Sequence, residues 1–112
     1  MILDGLFGNQ TAEKVLLFLQ QYESGYAGAI AKTFKVTLSQ VQKQLERLEL
    51  EGILSSKLIG RTRVYTFNPR YRFLKSLRLL LAEGIQALPS DYQEKYFRNR
   101  SRPRRAGKPL TK

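Results

Sequence analysis

The chain has 112 residues, 42% of them apolar, and its 20 Lys and Arg residues against 9 Asp and Glu residues give a formal net charge of +11. This length supports one modest hydrophobic core, and a compact domain this basic repels itself unless a polyanion is near, so nucleic acid is the leading partner class and an anionic membrane surface the second. The sequence contains no Cys and no His, which excludes disulfides, zinc fingers, thiolate chemistry and imidazole acid–base catalysis.

The positive charge is concentrated in the second half of the chain. Residues 1–56 have a net charge of −1, residues 57–94 of +4 and residues 95–112 of +8. The longest mostly apolar run, residues 77–81, is far too short to cross a bilayer, and the start of the chain lacks the basic and long apolar regions of a secretory signal. We therefore expect a soluble, cytoplasmic protein with no membrane partner.

The first third of the chain predicts two helices. Residues 1–9 form an apolar lead-in that we expect to pack on the domain, and Thr11 is the predicted N-cap of a helix that runs to about Tyr22. Residues 23–25 form a break, and residues 26–33 form a short second helix rich in small residues. The residues expected to be buried here are Ala12, Val15, Leu16, Phe18, Leu19, Ala27, Ile30, Ala31 and Phe34.

The next stretch, residues 38–51, is the clearest amphipathic helix in the sequence. Thr37 is a good N-cap, Gln40 can complete a capping box with it, and Gly52 marks the end. A short helix, a tight connection and an amphipathic helix are typical of a helix-turn-helix. The predicted buried stripe of the second helix of this pair consists of Leu38, Val41, Leu45 and Leu48.

The opposite side of helix 38–51 carries side chains that can bind DNA bases. At about 100° per residue, these polar residues fall opposite the apolar stripe or on its flanks. Gln can bond an adenine edge bidentately, Lys and Arg can reach guanine or phosphate, and Ser can serve either base. The competing interpretation is an ordinary solvated helix face. The candidate DNA-binding residues of this helix are Ser39, Gln40, Gln42, Lys43, Gln44 and Arg47.

Beyond the long helix the pattern changes to the alternation that is typical of strands. Residues 53–58 and 63–67 are rich in β-branched and aromatic residues, residues 59–62 form the predicted hairpin turn, and Pro69 follows the second strand. A β-hairpin directly after a helix-turn-helix predicts a winged helix. The expected fold class is therefore mainly α with a β-hairpin (α+β), followed by extra C-terminal helices.

The hairpin, or wing, offers a second set of candidate contacts. Lys57, Arg61 and Arg63 lie near its tip, where we expect them to contact DNA phosphates or the minor groove. The competing interpretation is that these charges only protect the hairpin edge from pairing. Tyr65 and Phe67 share one face and are expected to pack on the helices.

A further helix is predicted over residues 70–88. Its apolar residues cover a wide arc and Leu79 falls nearly opposite the arc's centre, so a small domain does not easily bury them all. We expect homodimerisation through this helix, and the competing interpretation is that the helix is simply well buried. The candidate dimer-interface residues are Phe73, Leu77, Leu80, Leu81, Ile85 and Leu88.

The chain then divides into three parts by composition. We expect a winged helix-turn-helix domain at residues 1–68, a C-terminal helical extension at 69–97, and a basic tail at 98–112 that is disordered when free. The tail is either an arm that follows DNA phosphates or enters a minor groove, or a generic cationic segment. Its candidate DNA-binding residues are Arg98, Arg100, Arg102, Arg104 and Arg105.

Short segments in a particular order and spacing also carry a family resemblance. They are LFG at 6–8, SQVQKQL at 39–45, LE at 48–49, GIL at 52–54 and YTFNP at 65–69. Over residues 6–88 the chain resembles the ArsR-like winged-helix regulators, in particular the small archaeal and bacterial ones and those linked to nucleotidyltransferase genes. The arginine-rich extension after Tyr96 departs from this pattern.

The resemblance implies a dimeric, sequence-specific regulator that places helix 38–51 in the major groove of double-stranded DNA with the hairpin beside it. The metal-sensing members of the group carry Cys or His ligands, which this chain lacks. We therefore expect neither a metal nor another cofactor.

Two other function classes remain open. One is a winged-helix adaptor that binds another protein through the apolar arc of helix 70–88, and the other is an RNA-binding module that uses the basic tail. Catalysis is not expected, because Glu46 and Glu49 have no His, Cys or Gly-rich phosphate loop to work with.

Overall fold

Residues 3–97 are described by the structure, a computed structural model, and they form helices and a small antiparallel sheet around one hydrophobic core. The predicted α+β class is confirmed. The elements are α1 (Asp4–Phe7), α2 (Gln10–Tyr22), β1 (Ser24–Gly25), α3 (Ala27–Phe34), α4 (Leu38–Leu50), β2 (Leu54–Ile59), β3 (Thr62–Phe67), α5 (Leu74–Ala87) and α6 (Ser90–Tyr96). The tail candidates Arg98, Arg100, Arg102, Arg104 and Arg105 lie outside the described residues.

Helix α2 is the centre of the core. Val15, Leu17 and Leu19 are completely buried, and both α4 and α5 pack on this helix. The predicted N-cap Thr11 was wrong by two residues. The Asn9 side chain accepts a hydrogen bond from the Ala12 amide at 2.9 Å, so Asn9 caps a helix that starts earlier.

A buried carboxylate joins the lead-in to α2. Glu13 has no exposed surface, and its Oε2 accepts a hydrogen bond from the Leu3 amide at 2.5 Å. Burial raises the pKa of the Glu13 carboxyl, and the Leu3 hydrogen bond lowers it in part. Leu3 and Phe7 pack against the core as expected of the lead-in, whereas Leu6 is exposed.

The sheet has three strands in the order β1-β3-β2, all antiparallel. The predicted break at residues 23–25 contains the short strand β1, in which Gly25 lies opposite Tyr65. The hairpin turn is tight, since Ile59 pairs with Thr62 and Gly60 has a φ of +63°, the region that favours glycine.

Helix α5 begins later than predicted, because the residues that follow β3 form a turn held by the Asn68 side chain. The Asn68 side chain donates to the Gly52 carbonyl at 2.9 Å and accepts from the Arg70 amide at 3.0 Å. The helix proper starts only at Leu74. None of the helices within residues 3–97 combines the length and apolar character needed to cross a bilayer.

Half of the expected dimer-interface set lies inside the molecule. Leu81, Ile85 and Leu88 are buried against the same core as α2, so the assignment of these three residues to a dimer interface was wrong. Their side of α5 is the face that covers the core. The other three members remain accessible, with Phe73 exposed and Leu77 and Leu80 half-buried.

The close contact between β1 and α2 gives a first test. A Cβ atom at Gly25 would lie 2.7 Å from Phe18 Cε1, and Phe18 is itself buried. We expect Gly25→Ala to lower the free energy of unfolding by about 1–3 kcal/mol, because the core must shift to accept the methyl group. Urea unfolding followed by circular dichroism measures this loss.

Gly28→Ala is the matched control for this substitution. Its Cβ would meet only the exposed ring of Tyr26, at 3.3 Å, and Gly28 lies within a helix. We expect Gly28→Ala to leave stability unchanged or to raise it by up to about 1 kcal/mol. Equal losses for Gly25→Ala and Gly28→Ala would contradict the tight contact at Gly25.

Candidate nucleic-acid interface

Helix α4 has the start and end that its sequence predicts. The Thr37 hydroxyl accepts a hydrogen bond from the Gln40 amide at 3.3 Å, which is one of the two bonds of a capping box. The helix ends at Leu50, and Gly52 follows with a φ of +85°. Val41, Leu45 and Leu48 are buried as predicted.

The buried face of α4 is nevertheless rotated from the predicted one. Leu38 is 48% exposed, whereas Gln44 is buried. Helical geometry then places Ser39, Lys43 and Glu46 at the centre of the exposed face. Gln44 does not belong with them, so its assignment to the DNA-binding set is corrected: it belongs to the core side of the helix.

The side chains of Gln44 and Arg47 are hydrogen-bonded to each other. Arg47 Nε and Nη2 donate to Gln44 Oε1 at 3.1 and 3.0 Å, and Arg47 Nη1 lies 3.7 Å from Glu51 Oε2. Arg47 also lines a groove with Leu6 and Leu77, on the side of α4 away from the hairpin. The Arg47 side chain is therefore engaged within this chain and points away from the remaining polar candidates on the hairpin side.

An open cleft separates α4 from the hairpin. It has a volume of about 470 Å³ and is lined by the start of α3, by α4 and by the hairpin residues next to the turn. Gln42 and Glu46 line it from the helix, and Arg61 and Arg63 from the hairpin. All four side chains are exposed. The structure thus brings polar helix residues and two of the predicted hairpin cations together.

The third hairpin cation lies elsewhere. Residues directly opposite each other in an antiparallel pair share one face, and successive residues alternate between faces. Arg63 pairs with Leu58 on the face that carries Tyr65, whereas Lys57 pairs with Val64 on the other face. Lys57 therefore does not line the cleft with Arg61 and Arg63, and its contact with DNA stays a prediction.

A hydrogen-bonded chain connects α4 to the hairpin. The Ser56 hydroxyl donates to Glu49 Oε2 at 2.7 Å, and Arg63 Nη1 donates to Ser56 Oγ at 3.0 Å. Tyr65, which pairs with Ser56, is buried beneath them. Burial raises the pKa of the Tyr65 hydroxyl, and the negative charges of Glu49 and Glu46 raise it further. These contacts hold Arg63 at the edge of the cleft.

Three exposed charged residues of the helix-turn-helix, Glu46, Lys32 and Lys35, were not among the predicted candidates. Glu46 was considered only as a catalytic residue, although a helical plot centred on the true buried face places it beside Lys43. Lys32 and Lys35 are exposed at the end of α3, just before α4 begins. The signal for both lysines was their position next to the helix-turn-helix connection. Among residues 3–97, no group of three or more His, Cys, Asp or Glu residues could hold a metal ion.

Comparison with solved structures identifies three similar folds. Lactococcus lactis ZitR, in mutant form, matches with a TM-score of 0.59 and 19% identity over 77% of this chain. Bacillus subtilis YusO matches with a TM-score of 0.55 and 18% identity over 78% of this chain. The adhesin competence repressor AdcR of Streptococcus pyogenes matches with a TM-score of 0.60 and 15% identity over 82% of this chain.

These matches support the winged-helix fold seen in this structure. The chain spans 58% of the length of the ZitR chain, 67% of YusO and 76% of AdcR. No protein-family model and no curated protein matches the sequence. The narrower resemblance to the ArsR-like group therefore stays a prediction.

The connection between α4 and the hairpin can be tested at Ser56. We expect Ser56→Ala to lower the free energy of unfolding by about 0.5–1.5 kcal/mol, because Glu49 and Arg63 both lose their shared partner. Hydrogen exchange of the hairpin amides should also become faster. Both changes can be measured on one sample by urea unfolding and by NMR.

Ser55→Ala serves as the control, since Ser55 lies on the other face of β2 and its hydroxyl is 3.4 Å from that of Thr66. We expect little change in hairpin exchange for this variant. If Ser55→Ala and Ser56→Ala accelerated exchange equally, the specific link between α4 and the hairpin would be refuted.

Proposed function

We propose that this chain is a sequence-specific, double-stranded-DNA-binding transcriptional regulator that acts as a homodimer. The observation that carries the proposal is the cleft that has an exposed polar helix face on one side and Arg61 and Arg63 on the other. The formal net charge of +11 and the fold shared with a named repressor support it.

In this proposal α4 enters the major groove, which is wide enough for a helix. Ser39, Gln42 and Lys43 then face base edges and the phosphates beside them. Gln40 is exposed on the flank of the helix and contacts the groove wall. Glu46 can accept a hydrogen bond from a cytosine amino group, and it repels phosphate, so it favours bases over backbone at its position.

The hairpin holds the flanking backbone. Arg61 and Arg63 face the cleft, and Arg63 is positioned by its hydrogen bond to Ser56. Lys57, on the other face, contributes long-range attraction rather than a contact in the cleft. The hairpin therefore supplies affinity that is independent of sequence, whereas α4 supplies discrimination between sequences.

The homodimer part of the proposal uses a groove on the other side of the molecule, in which apolar residues lie beside Arg47 and Glu51. This groove has a volume of about 280 Å³ and is formed between α1, the end of α4 and the start of α5. Leu6, Phe7, Tyr71 and Leu77 line it, and the exposed ring of Phe73 lies against Tyr71. In this proposal a second copy covers the groove, and the two α4 helices read half-sites about 34 Å apart, the spacing usual for helix-turn-helix dimers.

Selection of bound duplexes from a random pool is the direct test of DNA reading. We expect a preferred sequence with dyad symmetry, and an affinity that falls by about 10³–10⁵ between 50 and 200 mM salt if about six to ten phosphates are neutralised. A flat salt response or the absence of any preferred sequence would refute the proposal. Stronger binding to structured RNA at matched ionic strength would favour the RNA-binding alternative.

Substitutions on the exposed face of α4 and in the hairpin separate the two roles. We expect Gln42→Ala or Lys43→Ala to lower the binding free energy by about 1–3 kcal/mol at particular base pairs. Arg61→Ala should weaken binding to all sequences alike and reduce the slope of log affinity against log salt concentration by about one. Lys57→Ala is the control of equal charge outside the cleft, and its effect should be smaller. Fluorescence anisotropy on selected and scrambled duplexes measures all four variants, and equal losses on both duplexes would remove the reading role of α4.

The dimer surface has a closely matched pair of test residues. Phe73 is 59% exposed beside this groove, and Leu79 is 58% exposed on another face of α5. We expect Phe73→Asp to shift the chain from dimer to monomer in sedimentation equilibrium, because a carboxylate would be desolvated in the interface. Leu79→Asp should remain dimeric.

A monomeric unmodified chain, or dissociation by both substitutions, would overturn the assigned dimer surface. A complex with a different protein and no DNA binding would instead favour the adaptor alternative.

A further inference from the structure

We propose that Leu38 and Tyr26 determine part of the sequence specificity by binding the C5 methyl group of a thymine in the major groove. The proposal rests on the DNA-binding function proposed above and deepens it, because it names a base that the cleft prefers. It is carried by two exposed apolar side chains in a cleft whose other exposed side chains are polar or charged.

The exposure of these two residues is concentrated in one place. Leu38 is 48% exposed and Tyr26 47% exposed, and within residues 3–97 they are the two exposed large apolar residues that line the cleft. A single exposed Leu on a convex surface is ordinary. Two such side chains in one concave site, opposite Arg61 and Arg63, instead offer an apolar contact to whatever binds there.

Both side chains are held in place by the starts of helices. Leu38 is the first residue of α4, and Tyr26 is the N-cap residue of α3. The Tyr26 ring lies over Gly28, where a Cβ atom would be 3.3 Å from Tyr26 Cε2. The Tyr26 carbonyl accepts a hydrogen bond from the amide of fully buried Ile30 at 3.1 Å. The apolar contact is therefore built on rigid elements of the domain.

Leu38 also begins a row of side chains that faces the cleft. Leu38, Gln42 and Glu46 follow one another at intervals of four residues, which places them on the same side of α4, and all three line the cleft. In a helix-turn-helix, the first residues of the second helix contact base edges. Leu38 occupies that position in this chain.

The chemistry of the row favours A·T base pairs. In the major groove thymine presents a carbonyl oxygen and the C5 methyl group, and apolar side chains contact that methyl. Gln42, one turn further along α4, can bond an adenine edge bidentately. Arg61 and Arg63 supply the positive charge that a duplex backbone requires and that an uncharged apolar ligand does not. The occupant that fits the whole cleft is therefore duplex DNA with a thymine beside Leu38.

The test removes the methyl group from the DNA rather than from the protein. Each thymine of the selected duplex is replaced in turn by deoxyuridine, which lacks only the C5 methyl, and the affinity of the unmodified full chain is measured by fluorescence anisotropy. At one thymine of each half-site we expect a loss of about fourfold, the ratio that corresponds to burial of one methyl group.

Substitution of Leu38 completes a double-mutant cycle. Leu38→Ala should weaken binding to the thymine duplex and should no longer distinguish thymine from deoxyuridine at that position. Leu50→Ala is the matched control, because Leu50 is 88% exposed at the other end of the same helix and does not line the cleft. This control should keep the fourfold discrimination of the unmodified chain.

The position of Tyr26 is tested by photocross-linking. A duplex that carries 5-bromodeoxyuridine at the sensitive thymine, with bromine in place of the methyl group, should cross-link to Tyr26 on irradiation, and mass spectrometry identifies the peptide. Tyr26→Ala should remove this cross-link. Tyr92, which is 42% exposed on α6, should not be labelled.

The outcomes separate this inference from the function on which it rests. A selected sequence without a sensitive thymine, equal discrimination by Leu38→Ala and the unmodified chain, or a cross-link to Tyr92 rather than Tyr26 would overturn the methyl contact and leave DNA binding in place. Failure of the unmodified chain to bind any duplex would overturn both.

Discussion

Burial of α2 on nearly all sides is the constraint from which the positions of the other elements follow. A helix whose Val15, Leu17 and Leu19 are all fully buried must be covered by neighbours, and α4 and α5 supply two of its covers. Each such side chain contributes about 1.5–3 kcal/mol when it leaves water. Because α4 packs on α2 with one face, its remaining polar face is directed outward, and the hairpin that follows it is placed alongside.

The sequence predicted most of this architecture, because its periodicity and capping residues report local structure directly. Thr37, Gly52 and the strand pattern around Tyr65 and Phe67 all gave the correct elements. The buried face of α4 could not be predicted correctly from the sequence. Residue type favours Leu38 over Gln44 as a core residue, but tertiary packing buries Gln44 and leaves Leu38 exposed. The same difficulty arose in α5, because the apolar residues that pack on the core, such as Leu81, could not be told from exposed apolar residues by their type alone.

The membership of the candidate site was only partly predictable. Of the predicted residues, Gln42, Arg61 and Arg63 meet at one cleft, and Glu46, which was not a candidate, lines it with them. Whether Lys57 shares a face of the hairpin with the cleft arginines depends on the strand register. The sequence analysis predicted the strands and the turn, but not which residues pair. Arg47 has local partners that the sequence analysis did not anticipate, since it pairs with Gln44 and Glu51, three and four residues away along the chain, and its role in DNA binding stays a prediction.

The sheet order also bears on how the protein avoids self-association. Within residues 3–97, β1 lies on one side of β3 and β2 on the other, so β2 is left as an edge strand whose outward backbone groups could template a foreign strand. The Lys57 ammonium stands in the middle of that edge, and stacking an identical edge against it would bring like charges together. A charge at this position, outside the cleft, is the kind of feature by which edge strands are kept from pairing with copies of themselves.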